Sequence, residues 1–327
     1  MLGAHAPLRP PSSVTVSSLR FLTADVFTPA PFSGNQLAIV FGADALPTET
    51  LQNIAVEFNY SETVFVFPAR SSAETRHVRI FTPGGELQFA GHPTIGTAHA
   101  LVATGEVMAA GNEILVILGE GVGPVPVRVL LKNGVPVSAQ LTTAILPEER
   151  PSTVSIETLA EILSLSPDDF LGGDYAPAAV SVGLPFLLAP LRSIDAVKRA
   201  RVAGDAWQTH LKGAWAAEPM VFAVARDADE SALPAHVRGC DVRARVFVPG
   251  LSIPEDPATG SANACLAGYL AKRTPRDGVL RWEVAQGVEM GRASRLSIEA
   301  EKANGVLAAI RVGGSTVLMT EGTMTLR

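Results

Sequence analysis

Three side chains stand out for proton chemistry. Glu62 lies in Asn59-Tyr60-Ser61-Glu62-Thr63-Val64-Phe65-Val66-Phe67, at the mouth of an apolar, strand-like run. A glutamate there usually faces water. Half-desolvated by Phe65 and its neighbours, its carboxyl would titrate nearer neutrality, where a general acid/base works best. His92 and Asp256 each precede a proline in a near-repeat. One copy reads Gly91-His92-Pro93-Thr94-Ile95-Gly96-Thr97-Ala98-His99-Ala100-Leu101. The other reads Glu255-Asp256-Pro257-Ala258-Thr259-Gly260-Ser261-Ala262-Asn263-Ala264-Cys265-Leu266. Both contain Pro-x-x-Gly-[Thr/Ser]-Ala-x-Ala, and both follow a strand-like run ending in Phe-x-Pro-Gly, at Phe81–Gly84 and Phe247–Gly250.

Proline suits the first turn of a helix, where its missing amide hydrogen has no helical partner. The repeat therefore predicts one helix with Pro93 in its first turn and a second over Pro257–Lys272. Asp256 would be a good N-cap and His92 a poor one, which marks His92 for a role other than capping. Two helix starts facing each other would turn unpaired amides and positive dipole ends towards a bound carboxylate. Gly91, Gly260 and Ser261 would line that cradle, and Thr94, Gly96, Thr97 and Thr259 would add hydroxyls and close backbone approach.

Around these helices the chain reads mostly as strands, among them Arg20–Val26, Gln36–Phe41, Glu62–Phe67, Arg76–Phe81, Met220–Ala225 and Val242–Val248. Thr48 is a fitting N-cap for a helix to about Phe58. The repeat predicts two related domains, over residues 19–146 and 151–314. Residues 1–18 read as a loose leader and Pro147–Pro151 as a linker. The strand at about 315–327 is available to complete the first domain.

The 327 residues are 47% hydrophobic and 18% charged, a globular balance, and the net charge of -6 argues against a nucleic-acid surface. No run reaches the roughly 18 apolar residues of a membrane span. Two cysteines, Cys240 and Cys265, make no disulfide framework, and a reducing cytoplasm is the simpler setting. Cys265, well inside its helix, reads as a small buried residue. The histidines are scattered and neither cysteine is in a Cys-x-x-Cys pair, so no metal site is expected. Gly119-Glu120-Gly121-Val122-Gly123 is followed by strand, unlike a dinucleotide loop.

In this order the segments resemble the phenazine-biosynthesis (PhzF-like) isomerase family, which shares its fold with diaminopimelate epimerase. The resemblance runs from about Phe21 to the C-terminus. It rests on Asp25-Val26-Phe27, Phe32-Ser33-Gly34-Asn35-Gln36-Leu37, Ser61-Glu62-Thr63, Arg79-Ile80-Phe81-Thr82-Pro83, the two repeat copies, Gln286-Gly287 and Gly291-Arg292-Ala293-Ser294. It implies an α+β fold of two pseudo-symmetric domains, each a mixed β-sheet wrapped around a central α-helix, with a cleft site, no cofactor and a homodimer. It implies that Glu62 moves a proton on the substrate, while His92 and Asp256, with Gly91, Gly260 and Ser261, hold its polar groups. The epimerases of this fold carry a cysteine at each central helix start; Ala90 and Pro257 stand at about those places here. Ala293 replaces the family's proline in Gly-Arg-Pro-Ser, a small change confined to a loop. The expected activity is a cofactor-independent isomerisation of a small carboxylate-bearing metabolite. A non-thiol epimerase or racemase of an amino or hydroxy acid, and a non-catalytic metabolite-binding protein, are the alternatives.

Overall fold

The computed structural model describes residues 17–225, 229–251 and 253–326. Of the expected leader, residues 1–16 lie outside the described residues, while Ser17 and Ser18 already belong to the first strand. The first half runs β1 (Ser17–Val26), β2 (Asn35–Phe41), α1 (Thr48–Phe58), β3 (Glu62–Phe67), β4 (Arg76–Thr82), β5 (Gly85–Leu87), α2 (Gly91–Ala103), β6 (Glu113–Glu120), β7 (Gly123–Lys132) and β8 (Val135–Thr142). The second half opens with β9 (Glu148–Pro151), α3 (Ile156–Leu163), β10 (Ala178–Ser181), β11 (Pro185–Pro190), α4 (Ile194–Arg199), α5 (Gly204–His210) and β12 (Glu218–Ala223). It continues with β13 (Val242–Phe247), β14 (Glu255–Asp256), α6 (Gly260–Lys272), β15 (Gly278–Gln286), β16 (Ser294–Ala303) and β17 (Val306–Gly314), and β18 (Thr316–Leu326) follows.

The fold is α+β, and the strand pairing repeats itself. In the first half β1–β2 is antiparallel, β2–β3 parallel, β3–β4 antiparallel, β4–β6 parallel, and β6–β7–β8 antiparallel. In the second half β10–β11, β11–β12, β12–β13, β13–β15 and β15–β16–β17 follow the same sequence of directions. A short antiparallel strand edges each, β5 on β4 and β14 on β13. β18 flanks β1 as β9 flanks β10, and β8 pairs with β17 to join the halves.

Each sheet wraps one helix, α2 against β1, β2, β3, β6, β7, β8 and β18, and α6 against β10, β11, β15, β16 and β17. Both helices are buried almost all round, which an amphipathic surface helix never is. Small residues make this possible. A Cβ at Gly96 would lie 2.6 Å from Val26 Cγ2 and 2.7 Å from Leu37 Cδ2.

Three expectations are corrected. Pro147–Pro151 is no free linker, because Glu148–Pro151 pairs with β10 and a Cβ at Gly268 would strike the Pro147 ring. Thr48 does not cap α1; Pro47 holds the cap position, and the Thr48 hydroxyl accepts a hydrogen bond from Arg79. The second central helix begins at Gly260, not Pro257, so Asp256 is not its cap. Among the described residues no helix is long and apolar enough to cross a membrane.

Gly96→Ala gains about 1 kcal/mol of helix propensity. It also drives a methyl into the stiff Val26 side chain, and overpacking costs about 1–3 kcal/mol. The expected result is net destabilisation in urea unfolding; an unchanged midpoint would show that the wrap around α2 is loose.

Candidate active site

The starts of α2 and α6 meet glycine to glycine. A Cβ on Gly91 would lie 3.4 Å from Gly260 Cα, and one on Gly260 would lie 3.5 Å from Gly91 Cα. The cap residues, Ala90 and Thr259, supply no side-chain cap. The first-turn amides of both helices therefore converge without an intrahelical acceptor, and two positive dipole ends adjoin. Gly91, Gly260, His92 and the partly exposed Ser261 lie at this junction. Gly96, Thr97 and Thr94 do not line it. Gly96 faces Val26 and Leu37, Thr97 is wholly buried, and the Thr94 hydroxyl turns to Ala90 O and Glu120.

Strand pairing explains how Asp256 reaches the junction. Asp256 lies opposite Val246 in β13–β14, where Leu87 lies opposite Ile80 in β4–β5. The structural counterpart of Asp256 is thus Leu87, and that of Gly260 is Gly91. The Pro-x-x-Gly repeat visible in the sequence is five residues out of this register. His92 enters from a helix and Asp256 from a strand, and the residue matching Ala90 is Thr259 rather than Pro257.

The two are joined by Asn35, which sequence reading did not single out as a site residue. Asn35 is 1% exposed at the start of β2. Its amide Nδ2 donates to Asp256 Oδ1 at 2.9 Å and Ala258 O at 3.2 Å, and lies 3.3 Å from His92 Nδ1. The preceding loop is pinned from the other half. Arg292 donates to Asp25 Oδ1 at 2.6 Å, Ser33 O at 2.7 Å and Gly34 O at 3.0 Å. Gly34 has φ +67°, where a side chain would also strike Val26 O. Ala293, the loop departure, accepts from Gly34 N at 3.2 Å through its carbonyl, so the loop serves the site directly.

Asp256 is well furnished with donors. Besides Asn35, Thr259 Oγ1 donates to Asp256 Oδ2 at 2.5 Å. Gln286 at the end of β15 locks this turn: its amide donates to Asp256 O at 2.8 Å and Thr259 Oγ1 at 3.0 Å, and accepts from Asn263 Nδ2 at 2.7 Å. Glu62 has no such support. Its Oε2 lies 3.3 Å from His92 Nε2, but the alignment is not that of a hydrogen bond, and both atoms are left without one.

Electrostatics separates the two carboxyls. Burial, and secondarily the charge of Asp256, pushes Glu62 up to about 8. Burial also raises Asp256, but hydrogen bonds from Thr259 and Asn35 oppose the rise. The bonded Asp256 is therefore the first of the two to ionise, and Glu62 keeps its proton at neutral pH. Burial drops His92 to about 3, against a smaller upward pull from the Gln36 backbone, so the imidazole is neutral. Nδ1 faces the Asn35 amide and Nε2 is turned to Glu62, so the neutral ring can pass or share a hydrogen on either side.

Cys265 is fully buried and its thiol donates to Val180 O at 3.2 Å, with burial pushing its pKa up to about 12; it is not poised as a nucleophile. Among the described residues no group of three or more His, Cys, Asp or Glu side chains is arranged to hold a metal ion.

A family model described as "Phenazine biosynthesis-like protein" matches residues 24–322. An isomerase of Mesorhizobium japonicum, described as uncharacterized, is 37% identical over 92% of this chain and 97% of its own. The trans-2,3-dihydro-3-hydroxyanthranilate isomerase of Pseudomonas fluorescens is 32% identical over 94% of this chain and 99% of its own. The crystal structure of a PhzF-family phenazine biosynthesis protein from Bacillus anthracis superposes with a TM-score of 0.81, at 24% identity, covering 94% of this chain and 99% of that one.

Asn35→Ala leaves Asp256 and Ala258 O short of a donor in a buried site, at an expected cost of about 1–3 kcal/mol in urea unfolding. Asn35→Asp sets another carboxyl against Asp256, and its deficit should be larger at pH 8 than at pH 5, where protonation relieves the repulsion. A deficit independent of pH would show that Asn35 does not sit against an ionised Asp256.

Proposed function

The chain belongs to the phenazine biosynthesis-like protein family and is an isomerase, and on that premise we propose that Glu62 moves a proton on a small carboxylate-bearing metabolite in the cleft between the halves. The observation that carries this reading is the Glu62 carboxyl itself. It is 16% exposed, lacks a hydrogen-bond partner on Oε2, and titrates near 8 beside the paired helix starts. A group with that affinity can both take and return a proton near neutral pH.

The remaining roles follow from charge. The substrate carboxylate binds the converging amides of α2 and α6, next to Gly91, Gly260 and Ser261. The Asp256 carboxyl accepts from an amine or hydroxyl. Ionised Glu62 removes a proton from carbon, and the electron pair shifts into a neighbouring double bond. The neutral His92 imidazole lies beside the charge that develops, and Glu62–H then delivers the proton to another carbon. A dihydroaromatic ring bearing carboxylate, amine and hydroxyl, as in the compound that names the Pseudomonas fluorescens relative, has the groups this arrangement would use. A proton returned to the carbon it left, on the opposite face, would instead make the enzyme an epimerase. Binding without turnover, indifferent to Glu62, would make it a metabolite-binding protein.

Glu62→Gln should fold normally and lose about 10²–10⁴-fold in rate. With trans-2,3-dihydro-3-hydroxyanthranilate in deuterated water, NMR should show deuterium on a carbon other than the one deprotonated. Full exchange by the Glu62→Gln protein would remove Glu62 from the mechanism. With the base form required in the free enzyme, log kcat/KM should rise with unit slope up to about pH 8 and then level off. A flat profile from pH 6 to 9 would exclude a base of that affinity.

A further inference from the structure

The register that relates the halves also matches Glu120-Gly121 with Gln286-Gly287. Arg76 pairs with Leu118 in parallel β4–β6, and Val242 pairs with Val284 in parallel β13–β15. Arg76 and Val242 are themselves equivalent, each four residues before the position facing β5 or β14. Two residues beyond Leu118 and Val284 stand Glu120 and Gln286.

Each reaches the fourth residue of its central helix. Gln286 Oε1 accepts from Asn263 Nδ2 at 2.7 Å, and the same Nδ2 donates to the carbonyl of the cap residue Thr259 at 2.9 Å. In α2, Thr94 Oγ1 lies 2.6 Å from Glu120 Oε1 and 2.6 Å from the carbonyl of the cap residue Ala90. The difference is in the hydrogens. The Asn263 amide has two, one for each acceptor. The Thr94 hydroxyl has one, yet two oxygens stand at hydrogen-bond distance. A carbonyl cannot donate, so the Thr94 hydrogen goes to Ala90 O, and the second contact needs a hydrogen from Glu120.

We propose that Glu120 is held protonated and that its neutral carboxyl is a positioning group for the start of α2, steadying Ala90–Thr94, and with it His92, as the Gln286 amide steadies the start of α6. A protonated carboxyl has the shape and the donor–acceptor pair of a glutamine amide. Glu120 is 6% exposed and its Oε2 has no partner. It lines a cavity of about 230 Å³ together with Arg70, His77, Arg79 and Glu86. Arg79 is held bidentately by Glu86 at 2.7 and 2.6 Å. His77, 3.8 Å from Glu74 Oε2, has its pKa lowered, first by burial and then by the charge of Arg70. Glu74 itself overlies Gly119. Burial raises Glu120 to about 8; only a Thr94 hydroxyl turned to donate to it would lower it, and none of these charges contributes. The cavity gives the carboxyl a path for proton exchange with solvent.

The consequence is a pH limit on the helix start. The folded affinity lies above the ordinary value of 4.5. The stability contributed by protonated Glu120 is therefore complete below about pH 4.5 and is lost as pH rises through about 8. Above that, a buried carboxylate faces the Thr94 oxygen without a hydrogen between them.

Two measurements on the full chain test this, and neither needs a substrate, so they stand or fall apart from the catalytic role of Glu62. In thermal unfolding, Glu120→Gln should match the wild type at about pH 4 and melt progressively higher than it as pH rises, by several degrees at pH 9.5. A difference that does not change with pH would overturn the proposal. In amide hydrogen exchange corrected for intrinsic rates, residues 91, 92, 94 and 95 should open at least tenfold more often at pH 9.5 than at pH 7, in the wild type and in Glu62→Gln alike. Were Glu120→Gln not to fold, this second comparison decides: a pH-independent rate, or a rise abolished by Glu62→Gln, would refute the role of Glu120.

Discussion

The contact between Gly91 and Gly260 sets the terms for the rest of the molecule. Two helix ends approach with only glycine hydrogens between them, and their dipoles repel at that point. The oxygen-bearing side chains of Asp256 and Glu62 are gathered beside that junction. It also requires slim helices, since bulk in α2 or α6 would push the sheets outward and part the two starts. The apolar wrapping and the polar site are therefore one design: the sheets press the helices together, and the junction is where unpaired amides remain.

The frame is twofold but its occupants are not. Asp256 stands where the other half has Leu87, His92 where it has Ser261, and Gln286 where it has Glu120. A symmetric pocket would treat the two ends of a ligand alike. Here one wall offers a carboxyl fixed by donors, and the other a neutral imidazole against a carboxyl that keeps its proton. The ion pairs that hold the edge hairpins stayed alike, Arg79 with Glu86 and Arg245 with Glu255. Structural polar contacts were kept in both halves while the polar groups at the junction diverged.

Much of this was legible in the sequence, and the failures share a cause. Glu62 could be read because a carboxylate at the mouth of an unbroken apolar run is conspicuous. The pairing of central helices could be read because both open with Gly, Ala and a small hydroxyl residue, Thr in one and Ser in the other. The register could not. His92-Pro93 and Asp256-Pro257 look equivalent because proline, glycine and small residues recur wherever a chain enters a tight helix start, whereas true equivalence is fixed by strands that pair across the sheet. Asn35 was hidden for a related reason. After Ser33-Gly34 it has the look of a turn residue, and only the folded chain shows its amide reaching residues more than two hundred positions away. Glu148–Pro151 was misread because four charged and proline residues carry no strand period, and their pairing is decided by β10.

The pairing of β1 with β18 has a consequence for how the protein is made. Strands β9 to β17 are contiguous, so the second half can assemble its sheet from neighbouring segments. The first half cannot: one edge of β1 waits for Thr316–Leu326. At about 5–20 residues per second of synthesis, that interval is on the order of tens of seconds. Throughout it, a ten-residue strand containing Leu19, Phe21 and Leu22 presents an open edge. The nascent first half therefore keeps an unpaired strand edge until β18 has left the ribosome.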